Sequence, residues 1–120
     1  MAYALFLDDE RVPSPRFDPL AATPGEAQYA ALPASLGSRT DFVIARSSAE
    51  AIAVVSSRGL PALLCLDHDL GGDDTVMAFL RWWTERVDAP FPELYVHSEN
   101  PVGRRNVESF VRSWNRAREE

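Results

Sequence analysis

The sequence predicts an open α/β sandwich, a mostly parallel four-stranded sheet of order 2-1-3-4 between layers of helix. Three observations predict it. Four short apolar runs each stop abruptly at polar residues, three longer segments carry apolar residues at helical spacing, and the two kinds alternate along the chain. Strands alternating with helices imply right-handed β-α-β crossovers and hence a parallel sheet. With 120 residues, 46% of them hydrophobic, the chain suits a single domain, residues 1–120. It can bury about two-thirds of its unfolded surface without a disulfide or structural metal.

The elements follow in order. Tyr3 to Leu7 is an apolar run ending at Asp8-Asp9-Glu10-Arg11, the pattern of a buried strand. Residues 12–40 hold five of the nine prolines and read mostly as a connecting loop, with a possible role as a lid. Within it, Thr23-Pro24-Gly25-Glu26 has the form of a helix start, with Thr23 as N-cap, and Pro33 would soon stop that helix. Phe42 to Ala45 is a second strand. Ser47-Ser48-Ala49-Glu50 is a capping box opening a helix through about Arg58, which Gly59 and Pro61 end. Ala62 to Leu66 is an apolar run suited to a strand covered on both faces. Val76, Phe79, Leu80, Trp83 and Val87 form one face of a helix, leaving Trp82 off the main stripe and partly exposed. Leu94 to Val96 is the fourth strand. Asn100 and Pro101 then open a last helix with a stripe of Val107, Phe110, Val111 and Trp114. The arrangement is flavodoxin- or receiver-like.

Composition excludes several chemistries. No lysine occurs, and all 12 basic residues are arginine, so Schiff-base catalysis and a phosphate-binding P-loop lysine are excluded. The single Cys65 rules out an internal disulfide and a Cys-rich zinc site. No apolar run approaches ~18 residues, and the start has no basic n-region. A cytoplasmic protein with no membrane partner is the expectation. Residues 1–99 carry a net charge of −8 and residues 100–120 a net +2. That distribution lacks the broad positive face on which duplex DNA binding depends.

In open α/β sheets, ligands bind beyond the carboxyl ends of the strands at the switch point. The first strand ends in Asp8-Asp9-Glu10-Arg11, the third in Asp67-His68-Asp69, and the fourth in His97-Ser98-Glu99-Asn100, with Arg104 in the following helical turn. Both histidines of the protein and its densest carboxylate cluster therefore share one face. The carboxylates suit a hard divalent cation, Mg²⁺ or Mn²⁺, which meets substrate phosphate through oxygen ligands. Arg11 is the nearest arginine in sequence, able to neutralise the cluster or to pair with Asp9 or Glu10. The helix opening at Pro101, with Arg104, has the form of an anion site, and Gly103 would let a ligand approach the backbone. Asp73, Asp74 and Asn100 precede helices and are placed to cap them whatever the function.

The segments Leu5-Phe6-Leu7-Asp8-Asp9-Glu10-Arg11, Leu66-Asp67-His68-Asp69-Leu70-Gly71 and Val96-His97-Ser98-Glu99-Asn100-Pro101-Val102-Gly103-Arg104 resemble the cyclic-phosphate processing receiver domain family. The resemblance implies a derivative of response-regulator receivers acting on cyclic phosphates of nucleotides or RNA ends. It matches Asp8 and Asp9 to the receiver's metal-binding acidic pair, Asp67 to the phosphoacceptor position, and Ser98 approximately to the hydroxyl residue. An ordinary receiver also needs a lysine after a fifth strand. This chain has neither the lysine nor room for that strand–helix pair, so the fold is truncated and a phosphoacceptor switch is disfavoured. Asp67-His68-Asp69 also has the D-x-D spacing of haloacid dehalogenase phosphatases, but the missing lysine and the lack of room for a cap count against that family.

The leading expectation is a phosphoesterase that opens a cyclic phosphate. His68 and His97 divide the acid and base roles, and Asp67 or Asp69 orients an imidazole or holds the metal with Asp8 and Asp9. Ser98, Asn100, Arg104, Arg11 and Asp69 are the candidates for contacting a phosphate-containing small molecule or RNA end. The alternative is a non-catalytic module binding a phosphorylated or cyclic nucleotide or a protein partner. The base, the sugar and the oligomeric state are left open by the sequence.

Overall fold

A computed structural model of the chain describes residues 3–13, 28–30, 41–98 and 100–118. Its main sheet contains β1 (Ala4–Leu7), β4 (Phe42–Ala45), β5 (Leu63–Leu66) and β6 (Glu93–Val96). All neighbours are parallel, in the order β4-β1-β5-β6, which is the expected 2-1-3-4. The two central strands, β1 and β5, are buried along their whole length. This is why they read as unbroken apolar runs, while the edge strands β4 and β6 mix exposed and buried positions.

The pleat sorts the core into two layers. Leu5, Leu7, Leu64, Leu66 and Val96 face the helices, whereas Ala4, Phe6, Leu63 and Cys65 pack with Phe42 and Tyr95 on the other side. All three helices among the described residues, α1 (Ser48–Arg58), α2 (Val76–Trp82) and α3 (Pro101–Arg118), bury their apolar stripes against the first layer. The connections from β4 to β5 and from β5 to β6 run the same way across the sheet. A shared right-handed sense puts their helices on the same face.

The caps explain the helix boundaries. The Ser47 hydroxyl accepts from the Glu50 N–H at 3.1 Å, and Gly59 ends α1 at φ 88°. Asn100 accepts from the Gly103 N–H at 3.1 Å to open α3. Asp74 departs from expectation. It does not cap the helix that follows it; its carboxylate accepts from the Ser48 N–H at 2.9 Å, at the start of α1. The Ser48 hydroxyl donates to the Thr75 carbonyl at 2.8 Å, so two loops at the sheet's carboxyl end are tied together.

After Trp82 the helix widens into a π turn over Trp83–Val87, closed by the Asp88 N–H on the Trp83 carbonyl at 3.1 Å. The extra residue rotates the stripe, so Trp83 is fully buried while Val87 is only partly so. Trp82 is half-buried and stacks on Phe79, 6.0 Å between centroids. The indoles of Trp83 and Trp114 both donate to the Ala89 carbonyl, at 2.8 and 2.9 Å, locking the following loop onto α3.

Residues 12–40, expected to be mostly loop, are described only at 12–13 and 28–30, and those residues are strand. β2 (Arg11–Pro13) and β3 (Gln28–Ala30) form a short parallel ladder, with Val12 opposite Tyr29. A helix running from Thr23 towards Pro33 is overturned at Gln28–Ala30, where pairing with β2 overrides the local capping signal. The start of that helix, and any lid, lie outside the described residues. Among the described residues no helix is long and apolar enough to cross a membrane.

Candidate functional site

The pleat builds the site. Phe6, Cys65 and Tyr95 lie in register across β1, β5 and β6, with Ile44 on the other side of Phe6. Two residues further on, in the same pleat phase, come Asp8, Asp67, His97 and Arg46. Backbone bonds carry the ladder just past the strands: Asp8 N–H to the Ala45 carbonyl (3.1 Å), Asp67 N–H to Leu7 (2.9 Å) and His97 N–H to Leu66 (3.0 Å). Identical phase and an extended ladder thus deliver four polar side chains to one end of one face.

Asp8, Asp9 and Asp67 each present a carboxylate oxygen, all within 4.8 Å of one another. Two oxygens on one Mg²⁺ at its usual bond length stand about 3–4 Å apart, so this donor set fits a hard cation with little adjustment. The Asp8 oxygens are held individually: Oδ1 accepts from the Glu10 N–H at 2.9 Å and Oδ2 pairs with His97 Nε2 at 3.0 Å. Asp67 Oδ1 accepts from the His68 N–H at 2.9 Å. Asp9 Oδ2 lies against the loop at Gly71, whose φ of 90° suits glycine; a Cβ there would stand 3.3 Å from that oxygen.

His97 reaches Asp8 across the end of β5, which separates their strands. Its ring stacks flat on Phe6, 4.7 Å between centroids at 4°, and both side chains of the pair are 1% exposed. His97 Nδ1 is buried without a hydrogen-bond partner among the described residues. As placed, this imidazole meets Asp8 and Phe6.

His68 stands differently. Its Nδ1 lies 2.9 Å from Asp69 Oδ1, and Asn100 Nδ2 donates to Asp69 Oδ2 at 3.2 Å. The His68 contact, followed by that of Asn100, holds the Asp69 carboxyl below its ordinary value. A carboxylate on Nδ1 selects the tautomer with its proton there, leaving the lone pair on Nε2. Gly103 packs on this ring. A Cβ there would lie 2.8 Å from His68 Cβ and Cδ2 and closer still to Cγ, so the glycine seats a histidine rather than admitting a ligand.

The sequence-predicted residues thus form two clusters joined at the end of β5: Asp8, Asp9, Asp67 and His97 in one, His68, Asp69 and Asn100 in the other. Ser98 is buried, its hydroxyl accepting from the Asn100 N–H at 3.1 Å. Arg104 stands apart. Its Nε pairs with Glu108 at 3.1 Å along an exposed helix face, where Ser98, Pro101, Arg104, Arg105 and Glu108 line a groove of about 490 Å³. The first-turn N–H groups of Gly103 and Arg104 are already used by Asn100. The Arg11 side chain lies outside the described residues. Arg46, which the sequence reading missed, instead donates to the Asp8 carbonyl at 3.2 Å. Its position directly after the second strand of the sheet, beside the switch point, was the available signal.

Among known proteins, no curated protein and no solved structure is significantly similar to the chain. The sequence does match one family over residues 3–113, nearly its whole length. That span includes both clusters and all four strands of the main sheet. The chain belongs to the cyclic-phosphate processing receiver domain family.

Proposed function

We propose that the protein is a phosphoesterase that opens a cyclic phosphate on a nucleotide or an RNA end. One observation carries the reading: a carboxylate triad able to hold a hard cation adjoins, at Asp67–His68, a histidine whose Nδ1 is bonded to Asp69, a contact that in the neutral ring favours the lone pair on Nε2. A receiver that only accepts phosphate has no use for that second group.

In this reading Asp8, Asp9 and Asp67 hold Mg²⁺ or Mn²⁺, which when bound neutralises phosphoryl charge and acidifies water. His68 Nε2 takes the proton of the attacking water as its oxygen bonds to phosphorus. One ring P–O bond breaks and leaves a phosphomonoester. In-line displacement puts the entering and leaving oxygens on opposite sides, so His68 does not serve both. The displaced sugar oxygen takes its proton from solvent. His97, buried against Asp8, orients that carboxylate and is a positioning residue in this scheme rather than a second proton carrier. Ser98 and Arg104, which line the neighbouring groove, would meet the rest of the substrate in this scheme.

The burial of His97 also favours a second reading. With one of two histidines unavailable for proton transfer, the site can serve as a non-catalytic module for a phosphorylated ligand. Incubation with nucleoside 2′,3′-cyclic phosphates, 3′,5′-cyclic nucleotides and ADP-ribose cyclic phosphate, with Mg²⁺ or Mn²⁺ and with EDTA, separates the two. Product that falls about 10²–10⁴-fold in His68→Ala supports the enzyme. Binding of these compounds without turnover overturns it in favour of the module.

A further inference from the structure

We infer that Asn100 is a positioning residue that fixes the Asp69–His68 pair, and that the start of α3 is thereby part of the reactive assembly. Both ends of its amide are committed: Oδ1 accepts from the Gly103 N–H at 3.1 Å and Nδ2 donates to Asp69 Oδ2 at 3.2 Å. Those partners also settle the orientation of the amide, since an N–H needs an acceptor and a carboxylate needs a donor. Asp69 is 63% exposed. A surface carboxylate on a single bond to one imidazole would sample other rotamers and water, so a second donor is what keeps its Oδ1 on His68 Nδ1. The other side of the imidazole is closed by Gly103, three residues along α3, where any Cβ would collide with the ring. Asn100 and Gly103 therefore act together, one holding the carboxylate and the other the ring. An Asn N-cap is replaceable by Ser or Asp as a cap, but a Ser hydroxyl at Asn100 is too short to bond Gly103 and Asp69 at once.

The inference deepens the phosphoesterase reading and rests on it only for its consequence in turnover; the geometry is tested without substrate. The chain has two histidines, so the ring nitrogens of ¹⁵N-histidine-labelled protein can be assigned with His97→Gln as reference. At a pH where the rings are neutral, the wild type is expected to show His68 with a protonated Nδ1 and an unprotonated Nε2. Asn100→Ser keeps the cap, lowering Tm by no more than about 3 °C. It nevertheless moves both His68 resonances towards the opposite tautomer, as Asp69→Asn does. Asn100→Ala shows the same spectral change with a larger loss of Tm. Under the phosphoesterase reading, Asn100→Ser also lowers kcat about 10-fold with KM unchanged. A wild-type tautomer pattern in Asn100→Ser overturns the inference and leaves Asn100 a cap. The expected pattern in a protein without turnover upholds the positioning role and sinks the phosphoesterase reading alone.

Discussion

Replacing His97 by alanine tests the centre of the structural argument. The side chain pairs with Asp8 at 3.0 Å, with both partners 1% exposed, and its ring lies flat on Phe6. A hydrogen bond to a charged group contributes about 1.5–3 kcal/mol, and a stacked ring contact adds about 0.5–1.5 kcal/mol. Their sum, about 2–4.5 kcal/mol, overlaps the roughly 3–5 kcal/mol lost when a buried charged group is stranded. For a domain of this size that corresponds to a fall in Tm of about 8–20 °C. Circular dichroism melting, with urea titration as a check on the free energy, measures it. His97→Gln retains an N–H donor and should recover roughly half the loss. If His97 were instead a solvent-facing proton carrier, alanine would cost turnover with little stability. A His97→Ala protein melting within about 2 °C of wild type would refute the buried pair as described.

Gly103→Ala is a test of sign. Helix propensity alone would stabilise by about 1 kcal/mol, but the collision with His68 is with atoms near its backbone that cannot swing away, at about 1–3 kcal/mol. The net expectation is a lower Tm, and a higher one would remove Gly103 from beneath His68. Ten-fold excess of Mg²⁺ over its Kd should stabilise the wild type by about 1.4 kcal/mol; Asp9→Asn should abolish most of that increment, and an unchanged increment would place the cation elsewhere. Burial pushes the Tyr3 hydroxyl above its ordinary value of 10.0, against a smaller opposing pull from Arg58, while the hydroxyl donates to the Gly59 carbonyl at 2.7 Å. Its contribution is therefore complete below pH 10 and lost as pH rises through the folded-state value. Tyr3→Phe should flatten the alkaline limb of a stability–pH curve, and an unaltered limb would contradict the assignment.

Much of the fold was legible because its signals are local. Strand β1 reads as an apolar run, and Asp8 marks its end, since a central strand needs apolar residues on both faces and polar side chains gather only beyond its carboxyl end. Ser47 and Asn100 read as caps because the unpaired N–H groups of a helix start lie within three residues of the side chain that satisfies them. The order 2-1-3-4 followed from alternation and the rule for crossovers. Local signals failed where distant pairing outweighed them. The start of a helix at Thr23 carried no trace of the ladder joining Gln28–Ala30 to Arg11–Pro13, and regular spacing carried no trace of the π turn after Trp82, although Val87 still packs against the core as the stripe required.

The site divides the same way. Which residues gather at the sheet's carboxyl end was set by the sequence, because strand ends and topology together assign the face on which Asp8, Asp67, His68 and His97 emerge. What each one touches was decided by the tertiary structure. His97 turns inward to Asp8, 89 residues away in the chain, because register places it in phase with Phe6 and Asp8 rather than with solvent. His68 turns to Asp69 because Gly103, on another element, leaves room for its ring. Pairing partners depend on register, rotamer and the approach of remote backbone, and none of these is encoded within a few residues of the side chain concerned.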